Sequence, residues 1–187
     1  GSLGYSHHAI QDYGLMRLFP EISIISPGGP NEVDLSFKFI MSDTSPKYLR
    51  LRKTGEPIFN QNEKLELPGF WNHLKEGSSN NILLSTGYGL KLAFDLVKTN
   101  KYQNYHILSC PIWGNKYKKF QYQQLSNYNK IITVEDHLLS GGFGSWMRES
   151  IIDKENNIIL GHAYIDDDII GKVGTEEYLL KFMTINE

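Results

Sequence analysis

The sequence contains a single cysteine among its 187 residues and almost no excess of charge. Cys110 alone cannot form a disulfide within the chain. Nineteen Lys and Arg residues stand against twenty-one Asp and Glu residues, a formal net charge of −2, which excludes a general attraction to nucleic acid or anionic lipid. A signal-peptide pattern and an apolar run long enough to span a bilayer are also lacking. These absences favour a cytoplasmic protein, in which a small anionic substrate would need a local site.

The composition is that of a globular protein. Hydrophobic residues make up 40% and charged residues 21% of the chain, which argues against disorder and leaves enough apolar material for a sizeable core. The first eight residues form a Gly- and His-rich turn sequence without an initiator Met. We therefore expect the chain to continue a domain that begins upstream.

Short apolar runs alternate with turn signals along the chain, as in proteins with alternating strands and helices. Residues 22–26 are β-branched and predict a strand, after which Asn31 is a candidate helix cap. Residues 47–52 alternate, so Arg50 and Arg52 should share one face of a second strand. Further strands are predicted at 81–86, 105–110, 130–135 and 157–164, with helices at 90–97, 143–151 and, capped by Thr175, around Tyr178, Phe182 and Met183.

This alternation implies an α/β fold whose mostly parallel sheet is flanked by helices. Residues 53–69 carry Gly, Pro, Asn and Gln without an apolar period, which is typical of a linker or a surface crossing. We therefore expect a partial α/β domain at 1–57, a linker at 58–69 and a complete α/β domain at 70–187.

Two adjacent histidines, His7 and His8, stand before a predicted helix, a pattern that by itself is typical of a surface turn. They belong to the order Gly4-Tyr5-Ser6-His7-His8-Ala9-Ile10-Gln11-Asp12, Leu15-Met16-Arg17, Pro20, Pro27-Gly28-Gly29-Pro30-Asn31-Glu32 and Tyr48-Leu49-Arg50-Leu51-Arg52. This order resembles the pyrimidine-binding domain of transketolase-like thiamine-diphosphate enzymes. The family has a Gly-x-Thr-His-(His/Gln) turn, an acidic residue, Leu-Met-Arg, x-x-Pro, a strand, Pro-x-Asp/Gly-x-x-Glu and a second strand ending in Arg.

The resemblance implies roles for four side chains. His7 matches the first His of the turn, which hydrogen-bonds substrate oxygens near the reactive carbon and can move a proton near neutral pH. His8 stands where deoxyxylulose-phosphate synthases have a second His and transketolases have Gln. The Arg that holds a sugar phosphate through its planar fork matches Arg52 best, and Arg50 if the register shifts by two. A surface salt bridge is the alternative for either arginine, and Leu3 replaces an acidic residue common before the turn.

A second signature is Thr133-Val134-Glu135-Asp136-His137 followed by Ser140-Gly141-Gly142-Phe143-Gly144-Ser145. It predicts a buried strand and a glycine-rich turn that opens a helix, where the glycines either bind an anion or permit close packing. The signature resembles the C-terminal domain of transketolase-like and 2-oxoacid dehydrogenase proteins, which chiefly supports the dimer, and this favours packing. Glu135 and His137 are weak metal candidates because no third ligand accompanies them.

Three further patterns have structural interpretations. The turn 86–89 contains a lone Gly-x-Gly, which lacks the third glycine and the acidic residue of a dinucleotide site. Lys116, Lys118 and Lys119 are too few for a nucleic-acid surface. Residues 166–168 are three aspartates without the spacing of a calcium loop. We expect residues 86–89 to form a structural turn, the three lysines to lie on a solvated face and the three aspartates to lie in an exposed turn. We expect no metal site in this chain.

The resemblance implies the C-terminal section or subunit of an enzyme that transfers a two-carbon ketol unit between sugar phosphates, with thiamine diphosphate and Mg²⁺ in the complete enzyme. In the family a Gly-Asp-Gly motif on a separate domain holds the diphosphate, and that motif is absent here. We therefore expect the isolated chain to be inactive, to bind the cofactor weakly and to need a chain or domain that carries the motif. We also expect it to form a homodimer, with Trp113 and Trp146 as candidate aromatics at the surface where two copies meet. The alternatives are a non-catalytic dimerisation module, a deoxyxylulose-phosphate-synthase-like activity and a flavodoxin-like nucleotide binder.

Overall fold

The structure is a computed structural model and describes residues 4–7, 9–52, 58–59, 66–155 and 157–187. The described strands are β1 (Ser23–Ile25), β2 (Lys47–Leu49), β3 (Asn72–Lys75), β4 (Asn81–Ser85), β5 (His106–Ser109), β6 (Ile112–Trp113), β7 (Lys130–Leu138), β8 (Ile159–Ile165) and β9 (Met183–Asn186). The described α-helices are α1 (Asp12–Arg17), α2 (Pro30–Ile40), α3 (Gly89–Leu96), α4 (Phe143–Ile151) and α5 (Glu176–Leu179). None of these helices has the length and apolarity needed to cross a bilayer.

The strands form two sheets. The small sheet has the order β2-β1-β6, with β2 parallel and β6 antiparallel to β1. The large sheet has the order β3-β5-β4-β7-β8-β9, in which the four central strands are parallel and the two edge strands are antiparallel to their neighbours. This confirms the predicted mostly parallel α/β fold. The expected domain division at 58–69 falls between β2 and β3, although β6 from beyond it pairs with β1.

Several predicted details are wrong at element ends. The N-cap of α2 is Gly29 with Pro30 at the first helical position, not Asn31, because proline's fixed backbone angle suits that place. Arg50 follows β2 instead of lying within it. The last helix ends at Leu179, and Met183 begins β9, which pairs with β8. The short strands β3 and β6 were not predicted, since two to four residues carry little periodicity.

An aromatic cluster joins the two sheets in one core. Trp113 packs against Tyr13, Phe143 and Trp146, with ring centroids 5.1, 5.2 and 5.3 Å apart. All four side chains are fully buried. Such pairs contribute roughly 0.5–1.5 kcal/mol each beyond the burial of their area. The expectation that Trp113 and Trp146 lie at a surface is therefore wrong, because the space between the sheets accommodates both indoles.

The turn after β4 shows why its glycines are needed. Gly87 has a φ of +53°, a left-handed conformation that favours glycine, and its N–H donates to the carbonyl of Ser26 at 2.8 Å. Gly89 opens α3 so close to β7 that a Cβ atom there would lie 2.0 Å from the carbonyl oxygen of Val134. These contacts are backbone packing, in agreement with the structural interpretation of the turn.

Replacing Gly89 with Ala should lower the free energy of unfolding by roughly 1–3 kcal/mol or more, because the backbone atom it meets cannot rotate away. Gly14→Ala is the matched control: it lies within α1, and its Cβ would meet its nearest neighbour at 3.5 Å, an ordinary contact. That change should be neutral or stabilising, since Ala favours a helix over Gly by about 1 kcal/mol. Chemical denaturation of both variants measures the difference, and equal stability would contradict the close approach.

Candidate functional site at the strand ends

The carboxyl ends of strands from both sheets meet in one place. The N–H of Arg50, just after β2, donates to the carbonyl of Ile25 in β1 at 2.9 Å. The turn after β4 is hydrogen-bonded to both sheets. The N–H of Gly87 donates to Ser26 after β1 of the small sheet, and the N–H of Thr86 donates to Val134 in β7 of the large sheet at 3.3 Å. Parallel α/β sheets gather their ligand sites at such ends. This junction is therefore the candidate functional site.

Arg50 lies at the centre of this junction. Its Nε is 3.0 Å from Oδ2 of Asp12, and its Nη1 is 2.7 Å from Oδ1 of Asp136. The same Nη1 donates to the hydroxyl of Tyr13 at 3.1 Å, and the guanidinium lies 4.8 Å from the centre of that ring. Burial by itself lowers the pKa of Arg50. The combined effect of Asp136, Tyr13 and Asp12 is opposite and larger, so the pKa lies well above its ordinary value. Arg50 is a buried cation shared by two carboxylates.

His137 borders the same network without completing it. Its ring stacks on Tyr13 with centroids 4.7 Å apart, and its Nε2 lies 3.7 Å from Oδ1 of Asp12. Neither of these two buried atoms has a hydrogen-bond partner among the described residues. Burial is the main cause that lowers the pKa of His137, so its imidazole is neutral near pH 7. Asp12 is held through its other oxygen, which accepts from Tyr48 at 2.7 Å.

Arg52 faces a different environment at the wall of a pocket. Its Nη2 lies 2.7 Å from Oε2 of Glu176, and its guanidinium sits 3.4 Å from the centre of the Tyr88 ring. The Tyr88 hydroxyl donates to the other oxygen of Glu176 at 2.7 Å. The pocket has a cavity volume of about 50 Å³ and is also lined by Ile10, Asp136 and Leu179. Arg52 is thus partly exposed and paired with a single carboxylate.

His7, the first of the two predicted histidines, lies on the turn that leads to this pocket. His7 ends a short 3₁₀ turn at Tyr5–His7 and is exposed, three positions before the pocket residue Ile10. The carbonyl of Ile10 accepts from the N–H of Leu138 at 3.1 Å, which fixes the turn to the end of β7. Ala9 has a φ of +51°, although it is not a glycine, and such strained backbone clusters at functional sites. His8 lies outside the described residues.

The second signature encloses a carboxyl group of the chain itself. Glu135 is fully buried, and its two oxygens accept from the N–H groups of Phe143 at 2.6 Å and Gly144 at 2.8 Å, at the start of α4. A Cβ atom on Gly142 would lie 2.4 Å from that carboxylate. Burial raises the pKa of Glu135 from 4.5 to about 8, although the two backbone N–H groups act in the opposite direction. The glycine-rich turn therefore packs around Glu135, as the packing interpretation expects.

Comparisons with known proteins were made for the sequence and for the fold. No protein-family model matches the chain. It is 25% identical over 182 residues to a subunit of apulose-4-phosphate transketolase from Actinobacillus succinogenes, covering 97% of this chain and 58% of that protein. It is 26% identical over 190 residues to 1-deoxy-D-xylulose-5-phosphate synthase of Syntrophomonas wolfei, covering 100% of this chain and 30% of that protein. Its fold matches a split-gene transketolase described as an inactive beta4 tetramer, with a TM-score of 0.79, 22% identity and coverage of 95% and 58%.

The chain is transketolase-like. Over nearly its whole length it is similar to transketolase and 1-deoxy-D-xylulose-5-phosphate synthase chains, which confirms the family resemblance drawn from its motifs. The transketolase-like chain spans about 58% of the length of the apulose-4-phosphate transketolase subunit and about 30% of the synthase.

The described residues of this transketolase-like chain do not fit the diphosphate of thiamine diphosphate and its Mg²⁺. Mg²⁺ takes oxygen ligands, usually one or two carboxylates together with phosphates and water. Within the described part of the chain, the group of metal-type side chains that lie together is His73, Glu76 and His106, which is rich in nitrogen and lies on β3, its flank and β5. No step of a thiamine reaction is therefore assigned to these residues.

Sequence motifs missed most of the groups that surround the two arginines. Asp12 was visible as the acidic residue of the first motif, and Asp136 as part of the second. Tyr88 stands in the Gly-x-Gly turn and Glu176 follows the predicted cap Thr175, but neither was identified as a partner of Arg52, because a turn aromatic and an exposed helix-start carboxylate are common in any protein. Their role depends on contacts with Arg52, which is distant from both in the sequence. The local spacing of residues cannot predict such contacts.

The wild-type protein should lose stability relative to a Glu135→Gln variant as the pH rises from about 5 to 8. The folded-state pKa of about 8 lies above the ordinary 4.5, so the folded protein binds the extra proton, and that stabilisation disappears as the proton leaves. The difference in unfolding free energy should change by up to about 1.4 kcal/mol per pH unit. Urea titrations across this range measure it, and a difference independent of pH would contradict the assignment.

Arg50→Met should lower the free energy of unfolding by roughly 3–5 kcal/mol, because two buried carboxylates lose their shared cation. Arg52→Met is the matched control and should cost roughly 1 kcal/mol, since a partly exposed ion pair contributes little. Urea denaturation at neutral pH compares the two variants. Similar losses for both would show that Arg50 does not hold the junction together.

Proposed function

We propose that the chain is the C-terminal section or subunit of a transketolase-like enzyme that transfers a two-carbon ketol unit between sugar phosphates. The observation that carries the proposal is the partly exposed guanidinium of Arg52, held over Tyr88 at the wall of a pocket where the strand ends meet. Similarity to a subunit of apulose-4-phosphate transketolase supports the reaction class.

Arg52 is the better of the two arginines for a phosphate group. A planar guanidinium binds phosphate through two parallel hydrogen bonds. Glu176, whose side chain is 49% exposed, can be displaced by a phosphate at small cost, because exposed ion pairs contribute about 0–1 kcal/mol. Arg50 would instead have to leave two buried carboxylates, which is much more costly. The proposal therefore assigns the phosphate to Arg52 and a structural role to Arg50.

His7 is proposed to act on the substrate at the other end. It is exposed on the turn that enters the pocket wall at Ile10, and an imidazole can donate, accept or shuttle a proton near neutral pH. His8 is proposed to assist in substrate binding, as in the family pattern with two histidines. The strained backbone at Ala9 is consistent with a turn shaped for ligand contact.

The remaining walls of the site are proposed to come from a second chain or domain. The pocket of about 50 Å³ is much smaller than the roughly 300–1,000 Å³ of ordinary small-molecule sites. We propose that a chain or domain with the Gly-Asp-Gly motif holds thiamine diphosphate and Mg²⁺, and that this chain also self-associates as a homodimer. The split-gene relative described as an inactive beta4 tetramer supports both self-association and inactivity without a partner.

Two alternatives follow from specific observations. A deoxyxylulose-phosphate-synthase-like activity is supported by the paired His7 and His8 and by similarity to that synthase. A non-catalytic dimerisation module would keep the fold without using His7 or Arg52.

The flavodoxin-like alternative lacks support, because Gly87 packs against the side chain of Ser26 and Gly89 against the backbone of Val134, so the turn after β4 is filled by the chain's own atoms. A cytoplasmic location belongs to the proposal, since a single buried thiol suits a reducing compartment.

The test is reconstitution with a subunit that carries the Gly-Asp-Gly motif, followed by kinetics with phosphorylated and unphosphorylated substrates. Arg52→Ala should raise KM for the phosphorylated substrate with little change in kcat, because a remote phosphate is bound alike in the ground and transition states. His7→Ala should lower kcat by roughly 10²-fold or more. Glu176→Gln should lower KM for the phosphorylated substrate, since it removes the carboxylate that competes for Arg52.

Arg148→Ala is the control, because this exposed arginine on α4 should leave both constants unchanged. Calorimetry of the chain alone should show no tight binding of thiamine diphosphate with Mg²⁺. If Arg50→Ala and not Arg52→Ala removes the preference for phosphate, the assignment of the two arginines is reversed. Activity that is unaffected by both Arg52 and His7 would disprove the proposed site, and a reconstituted complex without ketol transfer would favour the assembly module.

A further inference from the structure

Three side chains with metal-binding chemistry converge at the edge of the large sheet. His73 lies in β3, Glu76 follows that strand and His106 begins β5. One ligand atom from each lies within 4.8 Å of the others. Residues three apart in a regular strand point to opposite faces, but the register of β3 shifts between His73 and Lys75. A bulge of this kind redirects the side chains that follow it, which brings Glu76 to the histidines.

The two distances from the imidazoles to the carboxylate are close to the spacing of ligands around a cation, and all three ligand atoms lie within 4.8 Å of one another. Nδ1 of His73 lies 3.2 Å from Oε1 of Glu76, and Nδ1 of His106 lies 3.0 Å from Oε2. In a tetrahedral zinc site with bonds of roughly 2.0–2.1 Å, neighbouring ligand atoms are about 3.3 Å apart. Both imidazoles thus approach the carboxylate at nearly the separation that a shared ion would impose.

One tautomer of His73, and the accepting Nδ1 of His106, place nitrogen lone pairs towards the carboxylate. Nε2 of His73 lies 3.2 Å from the hydroxyl of Tyr128, and when this nitrogen donates, Nδ1 presents a lone pair, as in metal-binding histidines oriented through their other ring nitrogen. Nδ1 of His106 accepts from the N–H of Gly77 at 3.1 Å, so it also carries a lone pair. A cation bound at Nδ1 would take this lone pair in place of the Gly77 N–H. Two lone pairs beside a carboxylate form an arrangement that a cation stabilises.

Protonation is the competing way to satisfy the cluster. It would place positive charges on two imidazoles whose ring centres are 5.6 Å apart, and like charges at this distance repel each other. A divalent ion neutralises the carboxylate and uses both lone pairs without that repulsion. Two histidines and one glutamate form a ligand set that Zn²⁺ binds with a fourth position left for water, and the exposure of Glu76 leaves room for it.

We propose that His73, Glu76 and His106 form a Zn²⁺ site that clips the edge strand β3 to β5. This departs from the prediction that the chain has no metal site, which rested on motifs close together in sequence. The two histidines are 33 positions apart, and only the antiparallel pairing of β3 with β5 brings them together. The inference is independent of the proposed ketol-transfer function.

Titration of the untagged, chelator-treated chain with ZnCl₂ should show one bound ion per chain by calorimetry and a rise in the unfolding temperature. His106→Asn should weaken Zn²⁺ binding by at least about 10²-fold, and Tyr128→Phe, which removes an orienting partner, by about 10-fold. Glu76→Gln tests the site without threatening the fold, because this side chain is 81% exposed. Glu177→Gln, the same change at an exposed residue of α5, is the matched control and should not alter binding.

Substitution with Co²⁺ provides a second measurement, because a four-coordinate ion with nitrogen ligands gives intense visible absorption and a hydrated six-coordinate ion does not. The absorption should appear in the wild type and vanish in Glu76→Gln. Absence of Zn²⁺ binding at millimolar concentration would overturn the proposal. Binding that persists in the double variant of Glu76→Gln and His106→Asn would also overturn it, since the ion would then lie elsewhere.

Discussion

The buried guanidinium of Arg50 joins the two sheets of this protein at the ends of their strands. It follows β2 of the small sheet and contacts Asp136 of β7 in the large sheet, while Asp12 at the start of α1 completes its partners. Each of these charges would be costly to bury alone, because an unpaired ion in the interior loses its hydration. The three elements must therefore remain together for any of the charges to be tolerated.

This junction determines where the neighbouring groups can lie. Because Arg50 is held in the interior, Arg52, two positions further along the chain, lies at the pocket. There it forms an ion pair with Glu176 and packs over the ring of Tyr88. The aromatic cluster around Trp113 fills the space between the sheets behind the junction. Close backbone approach at Gly89 and the enclosed carboxylate of Glu135 keep α3 and α4 tight against β7. Rigid strand ends of this kind are what a binding site needs from its scaffold.

Sequence reasoning succeeded where the signal was local. The strands β1, β4, β5, β7 and β8 and the helices α2, α3 and α4 were predicted, because their apolar spacing and turn residues are contained in a few consecutive positions. The motifs around His7 and Glu135 indicated the transketolase-like family before any geometry was known. The Thr175 cap of α5 was predicted as well. The cap of α2 and the short strands β3, β6 and β9 were missed, since tertiary contacts decide such ends more than propensity does.

The sequence by itself determined the α/β class, the family and the small set of residues among which a phosphate ligand should be sought. The family resemblance favoured Arg52, but alternation alone left Arg50 and Arg52 equivalent, because it says which face a side chain shares and nothing about what lies opposite. The tertiary structure separated them by placing two carboxylates around Arg50 and one around Arg52. Likewise, His73 and His106 became neighbours only through strand pairing. Partners distant in the chain are brought together by burial and sheet register, which no local pattern encodes.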